Sequence, residues 1–168
     1  MIKMLEPISG EIKQEAFTTR RVLERVPADK LTWKPHPRSM SLGQLAMHIA
    51  TIPAGITRLA QVDEFEVNPA NFNPPVPKSS EEILAALDSS VLAAQEYLAG
   101  VSESSALGTW CAKVNGKAVM SMPRAAMLRA LMLNHWYHHR GQLSVYLRLL
   151  EVPVPSIYGP SADDNPFG

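Results

Sequence analysis

The sequence has a single cysteine, Cys111, so no disulfide can form within the chain and nothing points to an oxidising compartment. It has no surplus of charge of either sign, with 16 basic residues against 16 acidic ones. A nucleic-acid binder offsets phosphate with excess Lys and Arg, and neither a surplus nor a basic run is present. Long hydrophobic runs are missing too. The opening residues, MIKMLEPISGEIKQ, hold no apolar core of the kind a secretory signal needs. No stretch approaches the roughly 20 apolar residues of a membrane span. These absences lead to the expectation of a cytoplasmic protein with no nucleic-acid and no membrane partner. Internal repeats and low-complexity segments are also lacking.

What remains is ordinary globular composition: 168 residues, 46% apolar and 19% charged, enough for one domain over residues 1–168 with a buried core. Prolines divide it. A first helix is predicted over residues 10–26, with Ala16, Val22, Leu23 and Val26 as its apolar positions, and it stops before Pro27. A polar connection over residues 28–40 carries Trp33, Pro35 and Pro37. Ser41 with Gln44 three residues on then forms a capping box that opens a second helix. Leu45, His48, Ile49, Ile52, Ile56 and Leu59 follow at helical spacing. Pro53 inside this helix removes the hydrogen bond to the Ile49 carbonyl, so a kink is expected just past His48. After a loop holding Pro69, Pro74, Pro75 and Pro77, Ser79 with Glu82 repeats the capping pattern. Ile83, Leu84, Leu87, Val91, Leu92, Ala94 and Leu98 supply the stripe of the third helix, which Gly100 ends.

Residues 109–122 differ in character. Asn115-Gly116 suits a type I′ turn between short alternating runs, so a small β-hairpin is expected there. Pro123 then suits the first turn of a last helix that stays sequence-compatible until Pro153. A tail rich in Pro, Gly, Ser and Asp follows. Four helices joined by loops make an all-α four-helix bundle with a small β-hairpin between helices 3 and 4.

The last helix carries the chemistry. One face reads Leu128, Leu131, Met132, His135, His139, Gln142, Tyr146 and Leu149, apolar at both ends and polar in the middle. Imidazoles buried without partners are costly, so something must satisfy them. His135 and His139 lie one turn apart, about 6 Å along the axis, and can reach one ion. His48 holds an inward position on the second helix and supplies a third nitrogen. Such a site keeps positions open for substrate, as catalytic metal sites do. Gln142, one turn past His139, is placed to orient a ligand ring. Periodicity does not exclude His138, which lies about 60° from His135 on the other side. Arg140 at the rim is a candidate for an anionic substrate group, although a surface ion pair is the commoner fate. His36 lies in a proline-flanked loop and reads as solvated. Cys111 reads as a small hydrophobe of the hairpin, and Trp33, Trp110 and Trp136 as packing anchors.

Three passages carry a resemblance: NHWYHHRGQL at residues 134–143, LTWKPHP at residues 31–37 followed by SLGQLAMH ending at His48, and IYGPSAD at residues 157–163. Together they resemble the DinB/YfiT-like family over nearly the whole chain. The resemblance implies an up-down-down-up four-helix bundle, often a homodimer. It also implies a metal held by one histidine of the second helix and a His-x3-His of the last, here His48, His135 and His139. Relatives include S-transferases and isomerases that use low-molecular-weight thiols such as bacillithiol, mycothiol or glutathione. The expected activity is therefore metal-dependent S-transfer from a small thiol to an electrophile, in stress or detoxification. The expected cofactor is a divalent transition metal such as Zn, Ni, Fe or Mn. A metal-dependent hydrolase using Asp163 or Asp164 as base is one alternative. A non-catalytic, metal-stabilised binding module is another.

Overall fold

In the computed structural model, which describes residues 2–68 and 74–167, serine side chains cap the starts of three helices, at Ser41, Ser79 and Ser102, while the others begin without a side-chain cap. The first, α1, spans Glu6–Leu23 with Pro7 in its first turn, four residues earlier than the sequence pattern indicates, and it ends three residues earlier. Its buried residues are Ile8, Ser9, Ile12, Glu15, Thr19, Val22 and Leu23, so three polar groups sit among the apolar ones. The next, α2, spans Leu42–Leu59 and opens on the capping box of Ser41 and Gln44. Its first amides are also met by the preceding connection, Leu42 N–H donating to the Trp33 carbonyl and Gly43 N–H to that of Leu31. A Cβ at Gly43 would lie 2.9 Å from Pro77 and 3.0 Å from the Leu31 carbonyl, so only glycine permits this approach.

The third helix, α3, spans Ser80–Gly100 with Ser79 as its cap, and a short α4 spans Glu103–Leu107. The expected hairpin is present as β2, Thr109–Val114, and β3, Lys117–Pro123, joined by Asn115 and Gly116 at φ 51° and 74°. A strand not anticipated from sequence, β1 over Glu64–Glu66, adds to it in parallel with β2, giving the order β1-β2-β3. Three residues with two glutamates carry no recognisable strand pattern, which is why only the partner strand reveals it. Pro69, in the loop before α3, lies outside the described residues.

The last helical rod is not uniform. It opens as α5, Arg124–Met127, widens into a π-helical stretch over Leu128–Asn134, and continues as α6, His135–Leu149. Across the π stretch the buried positions are Leu128, Met132 and Leu133, and the buried face then runs Trp136, Arg140, Leu143 and Leu147. Here the structure corrects the uniform count. The extra residue turns His135, His139, Gln142 and Tyr146 one step off the core face, onto the flank of the bundle. Leu149, which closes that stripe in the sequence, is 57% exposed.

The helices pack with α2 between α3 and α6, and with α1 against the same two. Their core joins Leu45 and Ile49 of α2, Leu87 and Leu98 of α3, and Trp136, Leu143 and Leu147 of α6. None of the described helices is long and apolar enough to cross a membrane.

Candidate metal centre

Pro53 is buried in α2, and the helix continues through it. Lacking an N–H, it leaves the Ile49 carbonyl without its helical donor. Trp136 of α6 takes the vacancy, its indole N–H donating to that carbonyl at 2.9 Å. The bond joins the residue after His48 to the residue after His135. It therefore sets the register between the two helices that carry the histidines. Trp136 is fully buried, as a packing anchor would be, but it also makes this directed contact, which its spacing alone did not reveal.

The three rings converge on their Nε2 atoms. His48 Nε2 lies 3.3 Å from His135 Nε2, and His139 Nε2 lies 2.7 Å from the same atom. Among the described residues this is the one group of histidines, cysteines or carboxylates close enough to hold an ion, all ligand atoms falling within 4.8 Å of one another. His138 is exposed and outside that group, its ring 4.9 Å from the His139 ring. His36 is exposed in its loop, where its Nδ1 accepts from the Arg38 amide at 3.2 Å.

Protonation fits a cation at this point. Burial, followed by the charge of the neighbouring histidines, pushes the pKa of His48 down to about 4. Burial and then His139 do the same to His135, also to about 4. His139 is likewise lowered, mainly by burial, while its bond to Gln142 works the other way. Near neutral pH the rings are therefore uncharged donors. His139 Nδ1–H donates to Gln142 Oε1 at 2.7 Å, which leaves its Nε2 as a lone pair. His135 Nε2 faces that lone pair at 2.7 Å, so both nitrogens can address one cation. Metal–imidazole bonds of about 2.0–2.1 Å in tetrahedral geometry place two ligand nitrogens about 3.3 Å apart. The His48–His135 pair has that spacing, and the His135–His139 pair would open slightly. The donor set therefore fits a divalent transition ion, with Gln142 orienting one ligand as outer hydrogen-bond partners do.

Two grooves flank the cluster. One, of 280 Å³, starts at His48 and His135 and runs along α2 past Ile52 and Ile56 to Phe65 and Arg58. The other, of 240 Å³, lies on the His139 side between Arg38, Ser39, Met40, Gln142 and Tyr146. A larger opening of 460 Å³ beside Glu96, Tyr97 and Ser105 includes no histidine or cysteine.

Arg140 is not at the rim. Its side chain is 2% exposed and pairs at 2.6 Å with Glu15, which is 8% exposed. It also donates to Thr19 Oγ1 and the Tyr158 hydroxyl, and its guanidinium lies against the rings of Tyr137 and Tyr158. Engaged in this way, it is part of the core. The signal for it was Glu15 and Thr19 in the inward stripe of α1. Asp163 and Asp164 are occupied as well, pairing with Arg148 and Arg21 and accepting from the amides of Val154 and Ser156. They fasten the tail.

A helical bundle carrying a three-histidine cluster able to hold a metal is the class that fold and site define. The DinB family model matches residues 1–165, and the chain belongs to that family. It is 27% identical to the uncharacterised protein YrdA of Bacillus subtilis over 164 residues, 98% of this chain and 93% of the relative. A DinB-like protein of Bacillus cereus is 28% identical with a TM-score of 0.62, covering 86% of this chain and 91% of its own. The DinB-like protein YjoA of Bacillus subtilis shares the fold at 18% identity and a TM-score of 0.65, covering 87% and 93%.

Proposed function

We propose that this protein is a metal-dependent thiol S-transferase acting in stress or detoxification, with His48, His135 and His139 as ligands of one divalent ion (Zn, Ni, Fe or Mn). The observation that carries the reading is the convergence of three uncharged imidazole nitrogens with no carboxylate among them. Bound there, an ion keeps its full charge and supplies the Lewis acidity that makes a small thiol nucleophilic near neutral pH. The three rings hold it, Gln142 fixes the orientation of His139, and the Trp136–Ile49 bond keeps α2 and α6 in register. The grooves on either side leave room for two reactants. In the transfer the thiol gives its proton to water and its sulfur bonds the electrophilic carbon. The leaving group departs with its bonding pair. The helix order up-down-down-up and a homodimeric state belong to the same reading, which the family resemblance supports.

The test is thiol consumption with a generic alkylating electrophile, run with glutathione, cysteine and other small thiols on protein loaded with each metal in turn. Turnover that is lost in His139→Ala is expected. No consumption above background with any thiol and metal would refute the reading. Chelation that lowers the melting temperature without affecting any activity would instead favour a structural metal.

A further inference from the structure

Of the nine arginines, six have carboxylate partners: Arg20, Arg21, Arg124, Arg129, Arg140 and Arg148. The other three, Arg25, Arg38 and Arg58, have none among the described residues. Two of those three line the grooves beside the histidines, Arg58 on one side and Arg38 on the other. The Arg58 groove has the simpler wall. Ile52, Ile56 and Leu59 form one stripe of α2, Phe65 of β1 faces them, and Gly55 adds no side chain. Thr51 is turned back on its own helix, its hydroxyl donating to the Met47 carbonyl at 2.9 Å. The polar residues left along the groove are therefore His48 and His135 at one end and the exposed Arg58 at the other. Ten residues of helix separate His48 from Arg58, about 15 Å along the axis.

We infer that this groove is the acceptor subsite, and that it takes a small electrophile with an apolar body and one carboxylate. The inference rests on the S-transfer reading and adds to it which side the acceptor enters and what chemistry it carries. A volume of 280 Å³ suits a small molecule and not a peptide. The apolar wall removes the body from water, and the planar guanidinium receives the carboxylate through two parallel N–H donors. That pairing orients the ligand with its far end toward the histidines. A solvated arginine is the common fate of such a residue at a surface. At Arg58 the continuous apolar wall leading back to the donor cluster argues for a ligand.

The test uses an unreactive probe and no thiol. The full-length protein, before and after chelation, is titrated with 4-phenylbutyrate and with its neutral amide by calorimetry. The acid should bind in both states and more tightly than the amide. Arg58→Ala should weaken the acid about tenfold or more and leave the amide unchanged, while Arg25→Ala should alter neither. Ile56→Asp should weaken both ligands. Equal affinity for acid and amide, no binding, or an unchanged Arg58→Ala variant would overturn the inference. Loss of acid binding on chelation would place the carboxylate on the ion and overturn it too. Thiol turnover without probe binding would remove the subsite and leave the S-transfer reading intact. Probe binding without turnover would do the reverse.

Discussion

His139 carries its ring proton on Nδ1 because Gln142 Oε1, a carbonyl oxygen, can only accept. Removing that acceptor frees the ring to turn and to change tautomer. Gln142→Leu should lower metal affinity about 10- to 100-fold, measured by competition with a chromophoric chelator, with the fold unaltered. The depressed pKa values of His48 and His135 have a separate consequence for the metal-free protein. Both groups lie near 4 in the fold, against an ordinary value of 6.5, so below 6.5 the unfolded chain binds more protons than the folded one. Their contribution is full above about pH 6.5 and is lost as the pH falls toward 4. Melting temperatures of the metal-free protein should therefore drop through that window. The drop should be shallower when His48, His135 and His139 are all alanine. At this scale the sequence was explicit, because histidines one turn apart are legible from spacing. The role of Trp136 was not, since its value lies in a carbonyl on another helix.

Among the elements, α2 and α6 decide whether the three nitrogens meet, and the Pro53 vacancy filled by Trp136 is their directed link. Trp136→Phe keeps most of the packing and leaves the buried Ile49 carbonyl without a donor, at a cost of about 1–3 kcal/mol. In a Pro53→Ala background the helix regains the amide that can take that carbonyl. The same tryptophan change should then cost less, a coupling of about 1 kcal/mol or more in a double-mutant cycle followed by urea unfolding. Additive changes would mean that the link is incidental. Ser41, Ser79, Asn115-Gly116 and the apolar stripes made four helices and a hairpin readable, because caps and turns act locally. The π-helical stretch acts differently. Nothing in LRALMLN marks an extra residue per turn, so a count at 3.6 drifts off the core face and assigns the histidines to the interior. The identity of the ligand cluster survives that drift because His135 and His139 both lie after it.

Across the whole molecule, one polar network ties together segments far apart in sequence. Glu15 of α1 and Arg140 of α6 pair in the core, the exposed Tyr158 of the tail bonds both from outside, and Asp163 and Asp164 fasten the tail beyond them. Glu15→Ala would leave Arg140 charged and unpaired, at a cost of about 3–5 kcal/mol in urea unfolding. Replacing both, as Glu15→Leu with Arg140→Met, should restore most of that loss. The irregular tail was predictable from its composition, but its attachment was not, since ion pairs between segments more than 140 residues apart leave no local pattern. The central claim remains the three-histidine metal centre, and elemental analysis of the purified protein tests it most directly. The protein should carry about one equivalent of a divalent transition metal per chain, absent when His48, His135 and His139 are all changed to Ala. No metal in either protein, even after reconstitution, would contradict it.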